Sequence, residues 1–507
     1  MKSKNKILII LMVFLLLALN LAGCTKKGED SGSETTPSGN TGNNTNNGGE
    51  EDDGYIMSDL PVDELDYGKT EVTVLARIYS EMPEPMFFEY STDMDIVDES
   101  IWKTTIKVED DLGVMLNLIT HDGSNLLAEV EANVLADTNE YSLFSTDLRS
   151  QGMYMCAGLL YDLHSIDGSY IGYDKPWWPA SLIDNVQIGD RLYMMGGDIS
   201  SSYLYSIWAM FYNTDMAARY DLGSITDLVL NGEWTLEKFM ELTQNIRTEE
   251  EGTDPNIGSW GFTCAGYDLD AFWFGSGFTC FEYSDTEDKV ILAPDFFSET
   301  AVDLIDDLTA LLDSPDVFCE RDTDGHYADA TRRDRPIFTK GSALFHLDSL
   351  TYAKLLQAEE TNFKWGVLPM PKYEASQDGY LSTVRPGLSR MWSMVSNVTP
   401  DEAKMLSAVL EDFGSVAYRT ITPAVFEVCM KLKYSQDSVH SEMFDLIRAN
   451  VVFDLGQSTS YSFGGAYIFQ LPGKAMMHKL NWRTRGAIMK DSISAQIDEV
   501  FNNSDLF

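Results

Sequence analysis

The chain has 507 residues, 44% hydrophobic and 12% aromatic, which supports two or three structural units and excludes disorder throughout. Eighty acidic residues against 36 basic ones give a net charge of −44. So acidic a surface repels phosphate backbones and anionic lipid heads, which argues against nucleic-acid binding and polybasic membrane attachment.

Lys2, Lys4 and Lys6 precede an apolar run, Ile7 through Leu19. A spanning helix needs about 20 apolar residues, so this shorter run reads as a secretory signal to be removed. Leu21-Ala22-Gly23-Cys24 follows and resembles the lipobox of bacterial lipoproteins. Small residues at 22 and 23 admit a peptidase. Cys24 would then carry a diacylglycerol by thioether, and two acyl chains anchor stably where one does not. The competing reading is an ordinary signal peptide with a chance cysteine. From Lys26 to about Asp59 the composition shifts to Gly, Ser, Thr, Asn and acid. Such a stretch buries nothing and is expected to be a flexible tether. Residues 24–69 therefore read as anchor plus linker.

Val72–Ala76 is a short apolar β run. Ile101, Trp102, Ile106 and Leu112 share a helical face that Gly113 ends, and Val114, Leu116 and Leu118 alternate as a strand. This β-α-β opening predicts mostly parallel sheets covered by helices. Trp234-Thr235 opens a helix carrying Leu236, Phe239, Met240 and Ile246. Val302, Ile305, Leu308, Leu311 and Leu312 form another. Thr399-Pro400-Asp401-Glu402 has Thr to cap, Pro at N1 and Glu at N3, ahead of Met405, Leu406, Val409, Leu410 and Phe413.

After Cys24 come Cys156, Cys264, Cys280, Cys319 and Cys429. An odd, widely spaced set is not a disulfide framework. One bridge, for instance Cys264–Cys280, and five lone thiols both stay open. No CxxC, HExxH, G-x-S-x-G or P-loop spacing occurs, and no catalytic residue, metal or cofactor is expected. Asp322-Thr-Asp324-Gly325 matches part of a calcium loop, but the remaining acids are out of register, so it reads as a turn.

The stretches EVTVLAR, DLGVMLNLI, YSLFSTDLRSQGMYMCAGLLYDL, DKPWW, GDRLYMMGGDIS, MFYNTDMAARYDL, GEWTLEKFMEL, KGSALFHLDSL, WGVLPMPKYEASQDGY and SEMFDLIRANVVFDLG follow one another from residue 70 to about 460. In order and spacing they resemble the extracellular solute-binding proteins of carbohydrate ABC transporters, the clan that includes maltose-binding protein. The last 45 residues match least. The resemblance implies an α/β fold of two lobes, joined by crossing segments around a central ligand cleft, of the type II periplasmic-binding kind. The crossings are expected near 192–211 and 380–394. One lobe would hold 70–200 and 390–440, the other 205–385 and 445–507. The function implied is capture of a sugar or oligosaccharide by a lipid-anchored monomer on the extracytoplasmic face of the cell membrane. Delivery would be to the permease subunits of an ABC-type importer, the lobes closing over the solute.

Sugar hydroxyls suit carboxylates, amides and Arg, and their C–H faces suit Trp and Tyr. The Asp268–Gly275 segment, with Asp270 and Trp273, is similar to the family segment that faces the cleft from the second lobe; the alternative is a helix cap and core aromatics. Ser145-Thr146-Asp147, after the apolar strand Tyr141–Phe144, corresponds to a loop that reaches ligand, with Asp147 as helix cap the rival reading. Ser201 and Trp208 lie on the first crossing. Arg385, Arg390 and Trp392 lie on the second, with a structural ion pair the preferred reading for Arg385. Asp348 is a further candidate, and Trp177-Trp178 are expected to pack structurally. The alternatives in function are a secreted glycoside hydrolase or lyase, which would need two carboxylates at a fixed separation, and a sugar sensor of the same fold.

Overall fold

The computed structural model describes residues 56–82, 84–248, 258–320, 332–359, 361–430 and 438–502. The lipobox with Cys24, the tether up to residue 55, and Asp322–Gly325 lie outside the described residues; of the stretch read as linker, 56–69 is described and includes the buried Leu60 and a short turn at Val62–Glu64. None of the described helices is long and apolar enough to cross a membrane.

Two five-stranded sheets organise the chain. The first contains β1 (Thr70–Arg77), β2 (Val114–His121), β3 (Leu143–Asp147), β4 (Met195–Gly196) and β12 (Arg390–Met394), in the order β2-β1-β3-β12-β4. The second contains β5 (Trp208–Asn213), β6 (Trp260–Ala265), β9 (Val317–Glu320), β10 (Ala343–Ser349) and β11 (Trp365–Leu368), in the order β11-β5-β10-β6-β9. A small hairpin pairs β7 (Phe281–Ser284) with β8 (Lys289–Leu292). The β1–β2 and β1–β3 pairs are parallel, as β-α-β alternation requires. β12 and β5 run antiparallel to their neighbours, because each enters its sheet from a crossing.

Local chemistry explains the element ends. The Ile96–Leu112 helix starts where Asp95 accepts from the amides of Val97 and Asp98. It stops at Gly113, whose φ of 60° suits glycine. Its buried face comprises Val97, Ile101, Thr104, Thr105, Val108 and Leu112, and it packs on the Pro400–Met430 helix. Trp102 and Ile106 flank that face half-buried. The Leu236–Leu242 helix ends before Ile246, shorter than its apolar pattern suggests. Asp316 takes over there: its carboxylate accepts from the backbone amides of Asn245, Ile246 and Arg247, replacing a helical turn. Thr399 accepts from Glu402 N at the head of Pro400–Met430.

Three segments meet side by side where the sheets join. Ile207 bridges Val384, and Ser382 bridges Val451. Trp208 N donates to Thr383 O at 2.9 Å, Arg385 N to Ser206 O at 2.7 Å, and Val452 N to Ser382 O at 2.7 Å. Beyond this strip, residues 455–463 lie against the Leu148–Cys156 helix. Gly152 permits that approach, since a Cβ there would sit 2.2 Å from Ser458 O. Trp177 and Trp178 are buried and donate their indole N–H groups to Glu411. The five described cysteines are unbridged, and Cys264 faces Cys319 in register across β6 and β9.

Candidate functional site

A cavity of about 340 Å³ lies between the two sheets. Parallel strands converge on it with their carboxyl ends, the usual place for ligands in open α/β sheets. Arg77 is the last residue of β1, with Tyr79 two positions on, and Arg149 is the second residue of the Leu148–Cys156 helix after β3. From the other side come Tyr267 and Asp270, just past β6, with Phe469 and Gln470. The junction supplies Trp208, the first residue of β5, and the Arg385–Leu388 turn.

Three guanidinium groups dominate the chemistry. Arg77 Nη1 donates to Asp147 Oδ2 at 2.8 Å, and Ser150 Oγ donates to the same oxygen at 2.7 Å. Arg149 lies over the Tyr461 ring, 4.7 Å from its centroid. Its Nε stands 4.0 Å from Asp147 Oδ1. Arg385 lies 5.4 Å over the Tyr267 ring, with Nη1 3.8 Å from Glu81 at the exposed rim. Arg77 Nε, Arg149 Nε and Arg385 Nη1 are buried atoms with no hydrogen-bond partner. Gly387 makes room for Arg149: a Cβ there would meet Nη2 at 2.3 Å.

Behind Tyr267 lies a closed ionic cluster. Arg332 Nη2 is 2.8 Å from both Asp334 and Asp348 and 3.3 Å from Asp268, while Arg335 Nε is 2.7 Å from Asp348. Against the effect of burial, Arg332 and Arg335 hold the Asp348 carboxyl well below the usual range. Burial, reinforced by Asp348 and Asp334, pushes Asp268 up. These three carboxylates have no exposed side-chain surface. The cluster braces the cavity wall, because Arg332 also donates to the Tyr267 hydroxyl.

The residues singled out from the sequence fall into two groups. Trp208 and Asp270 line the cavity, with Arg385 beside them. Asp147 sits one layer behind, in β3 rather than a loop, gripping Arg77 and accepting from Ser150 N at 3.2 Å as a helix cap. Asp348 belongs to the ionic cluster. Ser201 and Arg390 meet at a small crevice beside Pro85. Arg390 is buried and donates to Ser145 O and Arg77 O, so it ties β12 to β1. Trp392 is buried on Phe413 with its indole N–H on Ser200 Oγ at 2.9 Å. Trp273 is fully buried, stacked on Phe278 at 4.7 Å and edge-on to Trp482. Sequence reasoning missed Arg77, Tyr79, Arg149 and Tyr267. Their signal was positional: each lies at or within two residues of the carboxyl end of a parallel strand.

No family model matches the chain, and no curated protein matches it in sequence. Solved structures match it in fold. A cyclo/maltodextrin-binding protein complexed with maltotetraose has a TM-score of 0.55 at 13% identity, covering 84% of this chain and 98% of that one. A sugar transporter protein from Rhizobium etli in an open conformation has 0.54 at 13%, covering 84% and 99%. An ABC substrate-binding protein from Listeria monocytogenes, in complex with cycloalternan, has 0.50 at 12%, covering 85% and 98%. This chain has the two-lobed α/β fold of these sugar-transporter and substrate-binding proteins.

Proposed function

We propose that this chain is a lipid-anchored, extracytoplasmic solute-binding protein that captures a sugar or oligosaccharide unaltered and passes it to the permease subunits of an ABC-type importer. One observation carries the reading: a cavity between the sheets takes its lining from both lobes and from the segments joining them. A solute touching both lobes stabilises the closed arrangement by its differential affinity for it. The volume suits a small-molecule site, about 300–1,000 Å³. Tyr79 also lines an adjoining depression of about 640 Å³ with Phe87 and His121, room for a further ring. Trp208 and Asp270 would meet the solute directly. Asp147, Ser201, Trp273, Asp348, Arg390 and Trp392 would hold the walls in place. The moving bodies would be 70–200 with 390–440, and 205–385 with 445–507.

A thermal-shift screen of mono- and oligosaccharides, followed by chromatography of the incubated sugar, tests this. A raised melting temperature with intact sugar is expected. Turnover would replace the reading with an enzyme, and no shift with any sugar would refute it. For the anchor, Cys24→Ser is expected to move the protein from the membrane fraction to the soluble fraction. A variant still membrane-bound would refute lipidation at that residue.

A further inference from the structure

Resting on the sugar-binding reading above, we propose that the solute is acidic: a sugar carrying a carboxylate, such as a uronic-acid unit, whose carboxylate is held by Arg149 and Arg385 with Arg77 alongside. The lining points there. Three guanidiniums from three separate parts of the chain reach one cavity of a protein whose acids outnumber its bases 80 to 36. Guanidinium is a donor only, in a planar fork that matches a carboxylate. A neutral sugar hydroxyl is both donor and acceptor, so it needs acceptors as well.

Of the described carboxylates near the arginines, none is hydrogen-bonded to Arg149 or Arg385. Asp147 is taken by Arg77 and Ser150. Glu81 stands at the rim, too far from Arg385 for a hydrogen bond. Asp270 is on the opposite wall, near Lys474, whose affinity for its proton burial lowers and Asp270 raises. Behind Tyr267, Arg332 and Arg335 answer Asp268, Asp334 and Asp348.

What stays open is the hydrogen-bonding capacity of two cavity arginines: among the described residues neither Arg149 nor Arg385 donates a side-chain hydrogen bond, each standing only at ion-pair range of a carboxylate, 4.0 Å from Asp147 and 3.8 Å from Glu81. A carboxylate entering the cavity would meet these two planar forks with charge-assisted bonds. Tyr79, Tyr461 and Tyr267 lie under the three guanidiniums and hold them in position before the solute arrives.

The test is calorimetry of the full mature chain with matched pairs of equal length: galacturonic-acid against galactose oligomers, glucuronic-acid against glucose oligomers, and glucose 6-phosphate as a separate oxyanion. At least one acidic oligomer is expected to bind about tenfold or more tighter than its neutral partner. Its affinity should fall as NaCl is raised from about 50 to about 500 mM, while neutral binding stays flat. Arg149→Gln and Arg385→Gln should each weaken acidic binding about ten- to a hundredfold. Neutral oligomers binding as well as acidic ones would overturn this assignment and leave the proposed function standing. Binding of the phosphate alone would overturn the carboxylate and keep the anion. Silence from every sugar would overturn both. The salt dependence needs no variant, so misfolding of either substitution leaves the test intact.

Discussion

Tyr79, just past the first strand, donates its hydroxyl to the carbonyl oxygen of Gly387, more than three hundred residues further on. The bond ties one wall of the cavity to the turn that joins the lobes, and Arg149 lies against the same glycine. Gly387→Ala would press a methyl onto the Arg149 guanidinium, the movable end of a long side chain. Solute affinity is expected to drop about tenfold, with stability within about 1 kcal/mol of the parent. Calorimetric titration beside a urea melt separates the two effects.

Gly152 gives the opposite case. A Cβ there meets the Ser458 carbonyl at 2.2 Å, and backbone cannot rotate away. Gly152→Ala is expected to destabilise the fold by about 1–3 kcal/mol, read as a lower urea midpoint with unchanged slope.

Trp273 and Asp270 are three residues apart and should respond differently. Trp273 is fully enclosed by Phe278, Phe296 and Trp482, so Trp273→Ala is expected to cost about 3–5 kcal/mol of stability. Asp270→Asn, at the cavity, should instead lower solute affinity. Denaturation and binding curves measured on both variants decide. A Trp273→Ala protein with parental stability would contradict the packing.

Asp412, on the Pro400–Met430 helix, is raised to about 7 by burial and by the charge of Asp111, against Lys107 and Arg419. Its Oδ2 has no hydrogen-bond partner. The folded state thus holds a proton that the unfolded state, with a carboxyl near 4, releases. Asp412 therefore favours folding fully below pH 4, and that contribution is lost as pH rises to about 7. Asp412→Asn should abolish this part of the slope. The variant should gain on the parent in melting temperature between pH 5 and pH 8, and an equal gap at both values would refute the titration.

The alternation of β1, the Ile96–Leu112 helix and β2 was legible because apolar spacing and Gly113 act locally. The two-lobed fold was legible from the order of many short stretches. The cavity was less so. Trp208 and Trp273 look alike in sequence, yet one lines the cavity and the other is enclosed, which only tertiary packing decides. Nothing in the sequence joins Arg77 to Arg149, 72 positions apart, until β1 and β3 set their ends side by side. Phe469 and Gln470 fall in the last 45 residues, where the resemblance to solute-binding proteins is weakest, and still reach the cavity.

The strip formed by residues 206–208, 382–385 and 450–452 restricts how the halves move. Its backbone hydrogen bonds lie across adjacent segments, so swinging about the strip preserves them and sliding along it would break several together. On the proposed function, opening would follow that one axis, and a solute would leave through a mouth of one geometry.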